Sequence, residues 1–329
     1  MVEKVVEDMS YRMVFGCKDD RFHFRPIISE VMELVGAFNV GDYVPFLATF
    51  DIQGLVRRMK ATNRKFDEFL ERLIEEHLRD AKDKQTQFIV SDFIDVMLSL
   101  MEEDSMKEVK FGKDNIKAII LDVLAAAMDT SVNVVNWALP ELLRHPKFMK
   151  TVQDELREVV GMDRMVEETD LPKLNYLNMV IKETMRLHPV APFLVPHESV
   201  EDCTINGYFI PKKSRLLVNV WTIGRDPNVW SMDAEEFNPD RFIDVDIDIH
   251  GRDFQLIPFG SGRRKCPGMH LGLVMVQLVL AQLLQCFNWE LPDGMSPCDL
   301  DMKEKFALTM SRASHLNSIP SYRLNVPNS

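Results

Sequence analysis

The sequence predicts a mainly α protein with small β-sheets, and three observations carry that prediction. From Met1 to about residue 190 apolar residues recur at helical spacing, as in Phe66, Phe69, Leu70, Leu73, Ile74 and Leu78 set against Lys65, Glu68, Glu71, Arg72 and Glu75. Between residues 200 and 222 the character changes: Thr204-Ile205, Tyr208-Phe209-Ile210 and Arg215 to Trp221 are short β-rich runs separated by Asn206-Gly207 and Pro211, the pattern of a small antiparallel sheet. The tail from Phe306 to Leu324 again reads as strand and turn.

Taken in order, Asn39-Val40-Gly41-Asp42-Tyr43-Val44-Pro45 breaks the helical pattern with turn residues and is predicted to link two helices. A long helix follows from about Lys113 to Arg144. Its middle, Ile119 to Met128, is apolar almost all round, which predicts burial on every side, and Pro140 predicts a cost of about 3 kcal/mol or a kink near its end. A further apolar helix is predicted to begin directly after Cys266, with Pro267 in its first turn. There is no internal repeat and no low-complexity segment. The chain reads as one domain over residues 1–329, helix-rich over 1–190 and mixed β and loop over 191–329.

At 46% hydrophobic and 27% charged residues, 329 residues suffice for a sizeable core. The net charge of −12 argues against nucleic acid as a partner, because a binder must neutralise phosphates with a basic face. Cys17, Cys203, Cys266, Cys286 and Cys298 are odd in number and contain no CxxC pair, so neither a disulfide framework nor a zinc site is indicated, and a reducing compartment is the simplest inference. The N-terminus is charged from the start, and no run reaches the roughly 18 apolar residues of a membrane span.

The chemistry is concentrated in Phe259-Gly260-Ser261-Gly262-Arg263-Arg264-Lys265-Cys266-Pro267-Gly268. Glycines let the backbone approach a bulky ligand, three cations supply positive charge, and a following helix aims its N-terminal N–H groups at the sulfur. Each favours thiolate over thiol, which suits Cys266 to metal ligation. Upstream, Glu183 and Arg186 are three apart on a helix, where spacing alone gives an ordinary i,i+3 pair. Asp129 and Thr130 interrupt the most apolar part of the long helix, where a polar side chain needs a partner or a purpose; a threonine bonding back to its own helix would serve.

Phe259-x-x-Gly262-x-Arg264-x-Cys266-x-Gly268 resembles the haem-ligand loop of the cytochromes P450, the haem-thiolate monooxygenases, and is similar in wording to plant A-type (71-clan) members. Three further elements resemble that family in the right order: Ala126-Ala127-Met128-Asp129-Thr130-Ser131 the oxygen-activating helix motif, Glu183-Thr184-Met185-Arg186 the ExxR, and Phe237-Asn238-Pro239-Asp240-Arg241-Phe242 the PERF element with Asp for Glu. By family proportions the chain corresponds to roughly the C-terminal two-thirds of a member, an N-terminally truncated cytochrome P450 fold.

The resemblance implies the following roles. Cys266 is the axial ligand to the iron of haem b, with Phe259 and Gly268 shaping the loop around it. Arg264 and His197 donate to the haem propionates, although His197, after Pro196, reads equally as a surface turn histidine. Glu183, Arg186 and Arg241 form a buried ion network behind the loop. Thr130 and Asp129 deliver protons to bound oxygen, and Ala127, where the family has glycine, narrows the oxygen pocket by one methyl. Leu124 to Met128, Val190 to Leu194 and Ala307 to Met310 face an apolar small molecule, of the kind found in plant secondary metabolism. The implied activity is insertion of one atom of O₂, with electrons from NADPH through a separate NADPH-cytochrome P450 reductase. The implied location is the cytosolic face of the endoplasmic reticulum membrane, held by an N-terminal anchor that this chain does not show. A truncated, non-catalytic fragment or pseudoenzyme that does not hold haem is the alternative.

Overall fold

A computed structural model describes residues 2–16, 24–83, 92–103, 110–292, 294–305 and 307–325, so Cys17 and Phe306 lie outside the described residues. The chain divides into two compact units, Met1–Asp129 and Thr130–Ser329.

The first unit is helical. It contains α1 (Val2–Phe15), α2 (Phe24–Gly36), the one-turn helices α3 (Val40–Tyr43) and α4 (Pro45–Ala48), α5 (Leu55–Asp83), α6 (Phe93–Glu102) and the first half of α7 (Lys113–Arg144). Segment 39–45, expected to be a turn, is thus partly helical. Asn39 caps α3 by accepting the Gly41 N–H at 3.1 Å, and Pro45 starts α4 where a first-turn N–H has no helical partner to lose. The stripe read from the sequence is the core: Phe66, Phe69, Leu70, Leu73 and Ile74 of α5 pack with Tyr11, Val14 and Phe15 of α1, Ile94 and Leu98 of α6, and Ile116, Ile120 and Leu124 of α7. The expectation that Ile119 to Met128 is buried on all sides is not met. Only Ile120 and Leu124 are fully buried there; Leu121, Val123, Ala125 and Met128 pack against the core while partly exposed, and Asp122 and Ala126 are exposed.

The second unit begins with the rest of α7, which runs through Pro140 to Arg144. It continues with α8 (Pro146–Val159), a 3₁₀ turn Glu168–Lys173, α9 (Asn175–Leu187), α10 (Val220–Ile223), α11 (Pro227–Trp230) and α12 (Met269–Cys286). α12 packs on both α8 and α9 and buries Val276, Leu280, Ala281 and Leu284. By length and composition, α7 and α12 are each apolar enough to cross a membrane; 39% and 50% of their most apolar windows are buried in the protein. The expectation that no run reaches a span's length is thus not met by length and composition: the polar residues within these helices, such as Gln277, Gln282 and Gln285 of α12, interrupt the apolar pattern without lowering its average enough.

Among the described residues the sheets are four antiparallel pairs: β1 (His197–Glu198) with β4 (Arg215–Leu216), β2 (Cys203–Ile205) with β3 (Tyr208–Ile210), β5 (Phe287–Glu290) with β8 (Ile319–Tyr322), and β6 (Glu304–Lys305) with β7 (Ser311–Arg312). The β2–β3 turn has φ of +50° at Asn206 and +82° at Gly207, the left-handed pair that a two-residue hairpin matching strand twist requires. The run Arg215 to Trp221 is a strand only to Leu216. Asn219 accepts the Thr222 N–H at 3.1 Å and caps α10, so the apolar Val220-Trp221 pair is helical despite its β propensity.

Candidate haem-thiolate site

Cys266 is half-buried, a free thiol, in a loop closed by its own N–H donating to the Phe259 carbonyl at 2.9 Å. Gly262–Arg264 forms one 3₁₀ turn, and α12 begins at Met269 with Gly268 at its N-cap. Pro267 therefore lies just before the helix and not in its first turn, since Gly268 supplies the irregular backbone that a cap needs. Gly260 and Gly262 have φ of +72°, a conformation open to glycine at little cost. A Cβ built on Gly262 or Gly268 would meet nothing within 4 Å, so the backbone around the sulfur faces open space on these sides. Arg263, Arg264 and Lys265 are exposed, and none pairs with a carboxylate among the described residues. One thiol, three unpaired cations and a bare glycine floor make a donor set that fits a large anionic metal complex approached from one face. The other described cysteines differ: Cys203 and Cys298 are exposed, and Cys286 is buried, with burial holding its thiol pKa above the usual value.

On α9, Glu183 accepts Arg186 Nε at 2.7 Å and Nη2 at 2.8 Å, Arg241 Nε at 2.9 Å and the Asn238 N–H at 2.7 Å. Arg186 also donates to the carbonyls of Gly224, Ala234 (2.6 Å) and Glu236 (3.0 Å), and Arg241 to the carbonyls of Trp230 (3.1 Å) and Asp233 (3.2 Å). The network thus ties α9 to segment 224–241. A cavity of about 10 Å³, lined by Arg186, Gly224 and Gln255 to Pro258, separates it from the residues leading into Phe259. Asp240 stands outside the network and accepts Tyr176 Oη at 2.7 Å and Lys147 Nζ at 3.1 Å.

The helix bearing Thr130 reaches α12. A Cβ on Gly272 would lie 3.7 Å from Ser131 Oγ, and Ser131 is buried. Asp129 and Thr130 are half-buried and both engage partners. His197 is exposed on β1, and neither it nor Arg264 makes a side-chain hydrogen bond among the described residues.

Sequence reasoning passed over a second buried polar group. Glu141, 1% exposed, accepts His188 Nε2 at 2.7 Å, and the His188 ring stacks on Trp137 with centroids 4.0 Å apart and 3° between planes. Burial opposes ionisation of Glu141, yet the histidines beside it, His145 at 3.4 Å and His188 at 2.7 Å, prevail and lower its pKa to about 2. A glutamate four residues from a tryptophan on an apolar helix was the available signal. In the first unit, His77, Asp92 and Asp95 offer ligand atoms within 4.8 Å of one another; His77 Nε2 lies 3.0 Å from Asp92 Oδ2, the geometry of an ion pair.

The Cytochrome P450 family profile matches residues 1–317. Cytochrome P450 CYP736A12 of Panax ginseng is 54% identical over 98% of this chain and 65% of its own length, and Flavonoid 3'-monooxygenase CYP75B137 of Crocosmia x crocosmiiflora is 44% identical over 95% and 62%. A zebra fish cytochrome P450 structure with abiraterone superposes with a TM-score of 0.78 at 26% identity, covering 97% of this chain and 70% of that one. The chain belongs to the cytochrome P450 family and has its mainly α fold with small sheets. It spans about two-thirds of the length of the curated relatives it matches.

Proposed function

We propose that this chain is the haem-bearing part of a monooxygenase that inserts one atom of O₂ into an apolar small molecule, with electrons passed from NADPH by a separate reductase. The observation that carries it is Cys266: a half-buried free thiol at the open face of a glycine loop, flanked by unpaired cations and followed by a helix. Cys266 would hold the iron of haem b, whose chemistry is activation of O₂ under the electron donation of the thiolate. Gly262 and Gly268 leave room for the macrocycle, Phe259 closes the loop, and Arg264 and His197 neutralise the propionates. Thr130 holds a proton donor toward the oxygen pocket, and Asp129 replenishes it. Glu183, Arg186 and Arg241 fix the segment that leads into the loop.

Relatives that act as flavonoid 3'-monooxygenases support a plant aromatic metabolite as the substrate class. Attachment to the endoplasmic reticulum is part of the same reading. Cys266→Ser, in a protein that incorporates haem, tests the assignment: loss of the red-shifted carbon monoxide band of ferrous haem-thiolate is the expected result, and persistence of the band overturns it.

A second reading draws on exposed apolar residues around β1 and β4, with Val195 69% and Leu217 56% exposed. Such surface suits a non-catalytic fragment that does not keep haem. The haem-to-protein ratio of the purified chain separates the two.

A further inference from the structure

Two segments far apart in sequence, Val190 to Leu194 and Ala307 to Met310, are joined by backbone: the Met310 N–H donates to the Val190 carbonyl at 2.7 Å. The Met310 carbonyl, on the other face of the same residue, accepts Trp137 Nε1 of α7 at 3.0 Å, and both Trp137 and Met310 are buried. The indole is itself held, its ring stacked flat on His188, whose Nε2 is bonded to Glu141 one helical turn along from Trp137. Pro189 alone separates His188 from Val190, and its ring fixes φ there. The contacts therefore close on themselves: Trp137 to Met310, Met310 to Val190, Val190 through Pro189 to His188, and His188 back to Trp137 by stacking and to its helix through Glu141.

Each link restrains a different degree of freedom. The stack sets the tilt of the indole plane, the Glu141 bond sets the rotation of the imidazole, and the indole N–H sets the height of Met310 along α7. Val190 to Leu194 carries its own constraint in Leu194, whose φ of +51° is uncommon for a branched residue and is accompanied by the Leu194 N–H to Ala191 carbonyl bond at 2.9 Å.

We propose that Trp137 is a positioning residue for substrate specificity: its indole N–H sets the spacing between the Val190–Leu194 and Ala307–Met310 segments, and so the shape of the apolar wall they present to a ligand. The inference rests on the reading above that these segments face the substrate. Trp137 touches neither ligand nor cofactor; it acts through Met310.

The test uses the haem-loaded protein with Trp137→Phe, which removes the donor and keeps an aromatic ring against His188. Amide exchange in peptides covering 190–194 and 307–310 should quicken about fivefold, the worth of one hydrogen bond. Two azole probes read the wall: imidazole, small enough to need only the iron, and 4-phenylimidazole, whose ring must fit against the pocket. Spectral titration should leave the Kd for imidazole unchanged and shift that for 4-phenylimidazole at least about threefold, the smaller share of one hydrogen bond's worth reaching the ligand. Unchanged exchange overturns the clamp. Quickened exchange with both Kd values unchanged keeps the clamp but overturns the specificity role, because the segments then do not line the pocket. If Trp137→Phe does not fold, Trp137→benzothienylalanine, an isostere with sulfur in place of N–H, repeats the same readouts with packing preserved.

Discussion

Glu183 and Arg186 share two charge-assisted hydrogen bonds, 2.7 and 2.8 Å long, with both side chains at 0% exposure. Spacing alone would allow a solvated pair worth a few tenths of a kcal/mol. Burial changes its character: without Glu183 the Arg186 charge keeps only carbonyl partners, and without Arg186 those carbonyls lose a donor while Glu183 keeps only Arg241 and the Asn238 N–H. Glu183→Gln or Arg186→Leu should cost about 3 to 5 kcal/mol, whereas Arg241→Lys, whose site is nearer the surface, should cost less. Thermal melts of the three variants check the order, and equal losses would contradict it.

Gly224 makes a contrasting case in the same region. A Cβ there would run into the backbone carbonyl of Arg186, which cannot retreat without disturbing the ion network. Gly224→Ala should therefore destabilise by about 1 to 3 kcal/mol. Gly268 has φ of −86° and nothing within 4 Å of a built Cβ, so Gly268→Ala should leave the haem-free chain within about 0.5 kcal/mol of the parent. If the loop receives haem as proposed, the same methyl should lower haem incorporation. Melting temperature and haem-to-protein ratio measured together separate packing from ligand approach.

The His77–Asp92 pair predicts a pH dependence in the helical first unit. Burial opposes protonation of His77, but the bonds to Asp92 Oδ2 (3.0 Å) and the Leu73 carbonyl (2.8 Å) prevail and hold its pKa above the usual imidazole value. Burial likewise opposes ionisation of Asp92, but His77 and the Asp95 N–H hold its pKa below the usual carboxyl value. A raised histidine contributes stability in full below its unfolded pKa of about 6.5 and loses it as pH rises through the folded value; a lowered aspartate contributes above about 3.9 and loses it as pH falls through its folded value. The pair is therefore worth most between about pH 4 and 6.5. Melting temperature should decline from pH 6.5 to 9 in the parent and decline less in His77→Gln. Parallel curves would remove the pair from the stability of this unit.

Much of the site was legible because its residues are local. Asn206-Gly207 fixes a hairpin by backbone preference alone, and the Phe259 to Gly268 loop carries its glycines, cations and cysteine in ten residues. What escaped depends on distance. β5 follows α12 without any turn residue to mark its start, and although its partner β8 falls inside the tail that reads as strand and turn, the pairing joins residues some thirty apart that no local pattern connects. The Glu141–His188 bond joins residues 47 apart, and the one local sign of it, a glutamate four residues from Trp137 on an apolar helix, does not name the partner. Val220 and Trp221 misled for the opposite reason: their β propensity was local and clear, but the Asn219 cap overrode it.

Thr130 provides the test of mechanism. It follows the apolar stretch of α7 that ends at Met128, beside the buried Ser131 that abuts Gly272 of α12. Haem binding in the proposed function depends on Cys266 and its loop, while proton supply depends on the threonine hydroxyl, so the two tasks should come apart in a single substitution. Thr130→Ala should incorporate haem at the parent ratio yet divert reducing equivalents, releasing more peroxide for each NADPH consumed, because dioxygen that receives electrons without a placed proton leaves only partly reduced. Thr130→Ser keeps the hydroxyl and should restore the parent ratio. Ala127→Gly removes the methyl that narrows the pocket and should lower peroxide release if that methyl hinders oxygen. Peroxide per NADPH, measured for the parent and the three variants with the same reductase and substrate, decides the matter: equal ratios in Thr130→Ala and the parent would take Thr130 out of proton delivery and leave it a helix residue bonded to its own backbone.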